Sequence, residues 1–395
     1  MQLRAAKKPS ARTAFSKTNK KDAPILPHVA GERKGALKMK TGKTLQQMAA
    51  ELERQNNVKR DFVLETSGIQ MAIDEGNPNL DIIRTAGEHK NIDRFSLNDI
   101  AHRQVGTHLN IPAKYYDRMR TEYPDLLAAN VNAWFQRQPS RRMVRTLDGS
   151  ARAFLSDRYR RIDNYEIAMA VLPVIGEMKD ARVESCELTE SRMYLKVVNP
   201  KLEAEVKKGD IVQAGILISN SEVGHGAVSV QPLIYRLVCS NGMVVNDLGQ
   251  RRYHVGRANQ SEDLELFRDE TLQADDRAFM MKIQDTVRAA VDEAKFSHVV
   301  DKMREATEAE ITGRLQDVVE MSANKWNLNQ GESDNVLQHL IKGGDLSLFG
   351  LSSAVTRAAQ DVESYDRSTE MEALGWNILN IGRNEWSDLN KGGQA

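Results

Sequence analysis

The stretch RRMVRTLDGSARAFLS, residues 141–156, holds two strand-like runs around Asp148-Gly149. An Asp-Gly pair between two such runs is a strong local signal for a β-hairpin. Downstream, ARVESCELT, RMYLKVVNP, IVQAGILISNS and AVSVQPLIYRLVCSNG read as further strands. In the third of these, Val212, Ala214, Ile216 and Ile218 fall on one face. Several strands with turn residues between them over residues 141–257 predict one antiparallel sheet, with a helix inserted at about Asn164–Lys179. Upstream, Leu45, Met48, Ala49 and Leu52 recur at helical spacing behind Thr44, a candidate N-cap. Short β-like pieces follow at Phe62–Thr66 and Ile69–Ile73, then a mainly helical block from about Ser96 to Gln136. From Ser261 the pattern is helical almost throughout. The expectation is an α+β fold: a central antiparallel β-sheet, an N-terminal helical block and a C-terminal helical lobe. The organisation read from this is a disordered basic arm over 1–43, an α+β core domain over 44–260 and a helical lobe over 261–395.

Charge is distributed unevenly. The 395 residues carry 55 Lys/Arg and 55 Asp/Glu. Residues 1–43 hold twelve of the basic side chains, Lys7, Lys8, Lys20 and Lys21 among them, against only Asp22 and Glu32. A basic arm on an acidic body points to a polyanionic partner, the alternative being a solvated tail. No run of 18 apolar residues suggests a membrane span, and the first 25 residues do not resemble a secretory signal. Cys186 and Cys239 are far apart and form no C-x-x-C pair, which argues against a zinc ribbon and for a reducing cytoplasm.

Catalytic signatures are missing. There is no G-x-x-x-x-G-K-[ST], G-x-S-x-G or H-E-x-x-H, and Gly224-His225-Gly226 reads as a turn joining two strands. Cys239 and Ser240 read as structural residues at a strand end. Neither a catalytic residue, a metal site nor a cofactor is therefore expected. The positive signal is Arg141–Arg161, with Arg141, Arg142, Arg145, Arg152, Arg158, Arg160 and Arg161, no lysine, and Phe154 and Tyr159 interleaved. Arginine offers a planar fork for phosphates, and aromatic rings on a basic surface serve single-strand binders as base platforms. The other reading pairs these arginines with the acidic helical lobe. A second signal, DIAHRQVGTHLNIPAKYYDRMR (99–120), has a helix–turn–helix outline, which occurs both in duplex readers and as a plain packing unit.

NIPAKYYDRM, NVNAWF, RAFLSDRYRRIDN, VKKGDIVQAGILISNSEVGHGAVSVQPLIYRLVCSNGM and GLSSAVTRAAQDVESYDRSTEMEALGWNIL span about Asn110 to Leu379. In these stretches the chain resembles the phage/plasmid-like family catalogued as domain of unknown function 932. The resemblance implies a gene carried by phages, prophages or plasmids and transfers no catalytic residues. The resulting expectation is a non-catalytic nucleic-acid-binding protein in the cytoplasm of a bacterial host. It favours single-stranded DNA, in replication, recombination or annealing, and includes a homo-oligomer. The candidate contacts are the seven arginines, Tyr159 and the four arm lysines. The competing expectation is a protein-interaction or virion-associated protein of a mobile element.

Overall fold

The computed structural model describes residues 40, 42–86, 89–246, 269–290 and 293–391. Lys7, Lys8, Lys20 and Lys21 lie outside the described residues. The α+β class holds, but the strands are divided between two sheets. The first takes the order β1-β5-β6-β4-β3-β2 and the second β11-β10-β9-β8-β7. In the first sheet β1 is Arg60–Glu65, β2 Ile69–Asp74, β3 Asn77–Ala86, β4 His89–Leu97, β5 Arg141–Leu147 and β6 Ser150–Ser156. In the second, β7 is Arg182–Leu188, β8 Met193–Lys207, β9 Asp210–Asn220, β10 Ser229–Arg236 and β11 Asn241–Val244. The hairpin at 141–156 thus pairs with chain from 60–97 and not with the strands that follow it. Alternation identifies a strand but says nothing of its partner. The β3–β4 hairpin is an addition to the elements read from sequence. Leu80 and Ile82 are buried one residue apart in it, and Pro78 stands near the start of β3, where its missing N–H is tolerated.

Helices α2 (Asp99–His108), α3 (Ala113–Glu122) and α4 (Pro124–Arg137) cover one face of the first sheet. Val105, Met119, Leu127, Val131 and Phe135 form a core there with Leu80, Ile82, Phe95, Val144 and Phe154. The helix–turn–helix outline is real and is used in packing. His102 on α2 meets the Tyr116 hydroxyl of α3 at 3.0 Å. On the outer side Arg103 pairs with Asp117, Arg118 with Glu122 and Arg120 with Asp99.

The second sheet is sandwiched. Helices α1 (Leu45–Val58), α5 (Asn164–Glu177) and α6 (Asp269–Ala290) join Leu195, Ile216, Ile218 and Val230 in one core. Toward the lobe lie α7 (Glu293–Thr307), α8 (Leu315–Trp326), α9 (Gln330–Gly343), α10 (Leu348–Ala358), α11 (Tyr365–Leu379) and α12 (Arg383–Asn390). Phe349, Val355 and Trp376 pack there with Val212, Ile234 and Met243. Those two cores share one face of the sheet; on the other, Tyr194, Leu217, Leu233 and Tyr235 pack with Tyr365 of α11, so β9 is buried almost end to end, as strands between two helical layers are. One ion pair, Lys196–Glu372 at 2.6 Å, is fully buried between β8 and α11.

The end of the basic segment is docked. Lys43 N–H donates to the Cys186 carbonyl at 2.8 Å, and its ammonium pairs with Glu187 at 2.7 Å. The buried Cys186 thiol donates to the Lys43 carbonyl at 3.0 Å and is pushed up to about 12 by burial and then by Glu187. The thiol packs in the core beneath the second sheet. Cys239 sits half-buried in the turn joining β10 to β11.

Candidate functional site

The hairpin forms as its turn residues dictate. Asp148 and Gly149 take φ of 52° and 79°, the left-handed pair a two-residue turn requires. Strict alternation would put Arg142, Val144 and Thr146 on one face and Arg141, Met143 and Arg145 on the other. A bulge breaks that rule in the partner strand. Arg145 opposes Ala153 while Thr146 opposes Ala151, which leaves Arg152 as the extra residue. Parity therefore flips within β6, so Ala151 and Phe154 both enter the core of the first sheet. Arg152 is aimed the other way, toward the second sheet. Bulges re-aim side chains in this manner.

The arginines separate into two groups. Arg145 is fully buried. It pairs with Asp61 at 2.9 Å and Asp163 at 2.6 Å and donates to the Glu222 carbonyl at 2.9 Å. Burial opposes its charge, and Asp163 and Asp61 outweigh burial. Arg152 reaches Glu222 at 2.5 Å. Arg160 pairs with Asp275 at 2.9 Å and with Asp276, and lies over the Phe279 ring. These contacts are to α6, the acidic start of the helical lobe. Arg161 is near Asp61 at 3.6 Å. Tyr159 is half-buried and donates its hydroxyl to the Ser221 carbonyl at 2.9 Å, so its ring is a packing surface and not a free platform. The forks of Arg145 and Arg152 are engaged inside the protein, because buried charge persists only when paired, and that of Arg160 is engaged by exposed carboxylates at the surface. The segment Asn220–Val223 is the hub of this network and joins the two sheets. Gln104 donates to the Val223 carbonyl at 2.7 Å, and Asn220 donates to the Asn164 side chain at 2.8 Å.

Arg141 and Arg158 belong to the second group. Both are exposed at the end of the hairpin remote from its turn, where Arg142 opposes Ser156. Neither has a carboxylate at ion-pair distance among the described residues. Between them Arg142 donates to His108 Nδ1 at 2.6 Å, and its buried Nε has no hydrogen-bond partner among the described residues. His108 is driven down to about 4 by burial and then by Arg142. His102 is driven to about 4 by burial and then by Arg120. Folded, both rings stay neutral to about pH 4, whereas the unfolded chain takes up protons from about 6.5. Stability therefore falls as pH drops through that window, by up to about 1.4 kcal/mol per pH unit for each histidine. His102→Asn should make the slope shallower by one proton, read from urea unfolding at neutral and mildly acidic pH. An unchanged slope would remove His102 from this account.

The end of α4 leads directly into this free arginine end. On α4, Leu127, Val131 and Phe135 are buried. Beside them Tyr123 at the N-cap, Leu126, Asn130, Trp134 and Arg137 recur every three or four residues. Tyr123 is 57% exposed, Leu126 49% and Trp134 42%. Arg137 is exposed and, among the described residues, without a carboxylate partner. From Tyr123 to Arg137 the stripe runs roughly 20 Å at about 1.5 Å per residue. The sequence reading passed over Tyr123, Trp134 and Arg137. The available signal was two large aromatics eleven residues apart, which is three helical turns. This stripe and Arg141, Arg142 and Arg158 form the candidate site: exposed rings for stacking and unpaired guanidiniums for phosphates.

Among the described residues no group of three or more His, Cys, Asp or Glu is arranged to hold a metal ion, and no helix is long and apolar enough to cross a membrane. The family described as Domain of unknown function (DUF932) matches residues 152–373, more than half of the 395-residue chain. The match starts within β6, includes the second sheet and ends in α11, so the α4 stripe precedes it. No curated protein and no solved structure matches the chain.

Proposed function

The chain belongs to that family, whose description assigns no activity, and from the site itself we propose a non-catalytic nucleic-acid-binding protein of a phage, prophage or plasmid, acting in the host cytoplasm on single-stranded DNA. The observation that carries the reading is the run of exposed aromatics on α4 ending at guanidiniums without carboxylate partners. Aromatic side chains accept unpaired bases by stacking, which is tolerant of sequence. Arg137, Arg141 and Arg158 supply phosphate contacts, and the basic segment before Lys40 adds affinity by counterion release. Annealing by an oligomer is the fuller form of this proposal.

The test is binding of the full chain to single-stranded and duplex oligonucleotides across a salt series. Single-strand preference with a steep salt slope is the expected result. Arg141→Ala with Arg158→Ala should flatten that slope by about two ions' worth. Deleting residues 1–39 should flatten it further, with cooperative unfolding retained because Lys40, whose N–H donates to the Gln360 side chain, and Lys43, whose N–H donates to the Cys186 carbonyl, stay in place. No binding at low salt would overturn the reading. The stripe would then be read as a docking face for a protein partner, which exposed Tyr, Trp and Leu also suit.

A further inference from the structure

A cleft of about 260 Å³ lies at the opposite end of the hairpin, lined by residues of its turn, the start of α5 and the β7–β8 turn. Its polar wall is sorted by hydrogen-bond role. The acceptors are mostly taken, apart from Glu190, which is exposed and has no ion pair among the described residues. Glu222 accepts from the Asn164 N–H at 2.5 Å and pairs with Arg152. Asp148 is held by both outer nitrogens of Arg54, and the Asn98 oxygen caps α2 by accepting from the Ala101 N–H. The Thr189 and Ser191 hydroxyls are turned to Asp366. The donors are left over. Arg152 is nine-tenths buried, and its Nε has no hydrogen-bond partner among the described residues. Arg192 donates to the His225 carbonyl and has no carboxylate at ion-pair distance among the described residues. The Asn98 amide nitrogen is likewise without a partner there. Helices α2 and α5 both begin at this cleft, and helix N-termini favour negative charge. Leu147, Leu188 and Val223 supply an apolar wall.

A donor-rich, half-apolar cleft with two guanidiniums suits an oxyanion carried on a flat or apolar body. We propose that this cleft binds a small phosphomonoester of nucleoside-monophosphate size, its phosphate held by Arg152, Arg192 and the Asn98 amide. A phosphomonoester offers three terminal oxygens to this donor set, where a carboxylate offers two. The proposal is independent of the α4 stripe, which lies at the other end of the hairpin.

Calorimetric titration of the full chain with AMP, adenosine and inorganic phosphate tests it. AMP should bind, and adenosine and inorganic phosphate should each bind at least about tenfold more weakly, since each lacks one half of the recognised molecule. Arg192→Gln and Asn98→Ser should each lower AMP affinity by about tenfold, the scale of one hydrogen bond to a charged group. Both should retain single-strand binding, which separates this site from the stripe. Asn98→Ser keeps a capping oxygen for α2, so its effect is not one of unfolding. Arg152→Met breaks the buried pair with Glu222 and is informative only beside these two. Absence of AMP binding at millimolar concentration would overturn the proposal. So would equal binding of adenosine or of phosphate alone, or AMP affinity unchanged in both variants.

Discussion

Arg145→Leu is expected to destabilise the protein by about 3–5 kcal/mol, the usual cost of removing one partner from a buried ion cluster. The arginine is fully buried between Asp61 and Asp163 and also donates to the Glu222 carbonyl. Its loss leaves two carboxylates facing each other in a poorly hydrated site. Asp163 is further tied to Lys59, and its carboxyl sits below the usual range: burial raises it, and Arg145 and Lys59 more than compensate. The effect should be read as a lower urea midpoint. Asp61→Asn should cost less, because Asp163 remains to hold the guanidinium. A change under about 1 kcal/mol for Arg145→Leu, the scale of an exposed pair, would show that the cluster is hydrated. The same measurement bears on function. Arg145 serves the joint between the sheets, so single-strand binding per folded molecule should be unchanged.

Trp134→Ala is expected to remove about 1–3 kcal/mol of single-strand affinity, the range for loss of one base–aromatic stack. Tyr123→Ala should act similarly, and the double variant should lose roughly the sum if each ring holds a separate base. Neither should change the salt slope, because no phosphate contact is lost. Both rings are substantially exposed, so melting should stay within about 0.5 kcal/mol of the parent, as for most surface substitutions. Tyr159→Ala provides the contrast. Its hydroxyl bonds the Ser221 carbonyl, so that substitution should lower stability and leave binding per folded molecule alone. If Trp134→Ala and Tyr123→Ala leave affinity intact while Tyr159→Ala reduces it, the platform lies on the hairpin and not on α4.

The local elements were legible because their causes are local. Asp148-Gly149 specifies its turn through two left-handed residues. Thr44 caps α1 through its own side chain, and Pro112 stands at the N-cap of α3. Helical spacing also carried enough information to place Tyr123, Trp134 and Arg137 on one stripe, although composition drew attention to the arginine-rich hairpin instead. What composition could not supply was the identity of the arginines' partners. Asp61 lies 84 residues from Arg145, and Asp276 lies 116 from Arg160. Whether a guanidinium faces water or a carboxylate depends on those distant neighbours, not on the residues beside it. Strand partners were hidden for the same reason, since alternation marks a face without naming the strand across from it. The bulge at Arg152 shifted every later side chain of β6 by one position, so face assignment by counting failed there. Residue types and turn chemistry thus set the α+β elements, whereas the division into two sheets, the burial of Arg145 and the exposure of Arg141 and Arg158 arise only when chain segments far apart in sequence compete for the same buried space and the same charges.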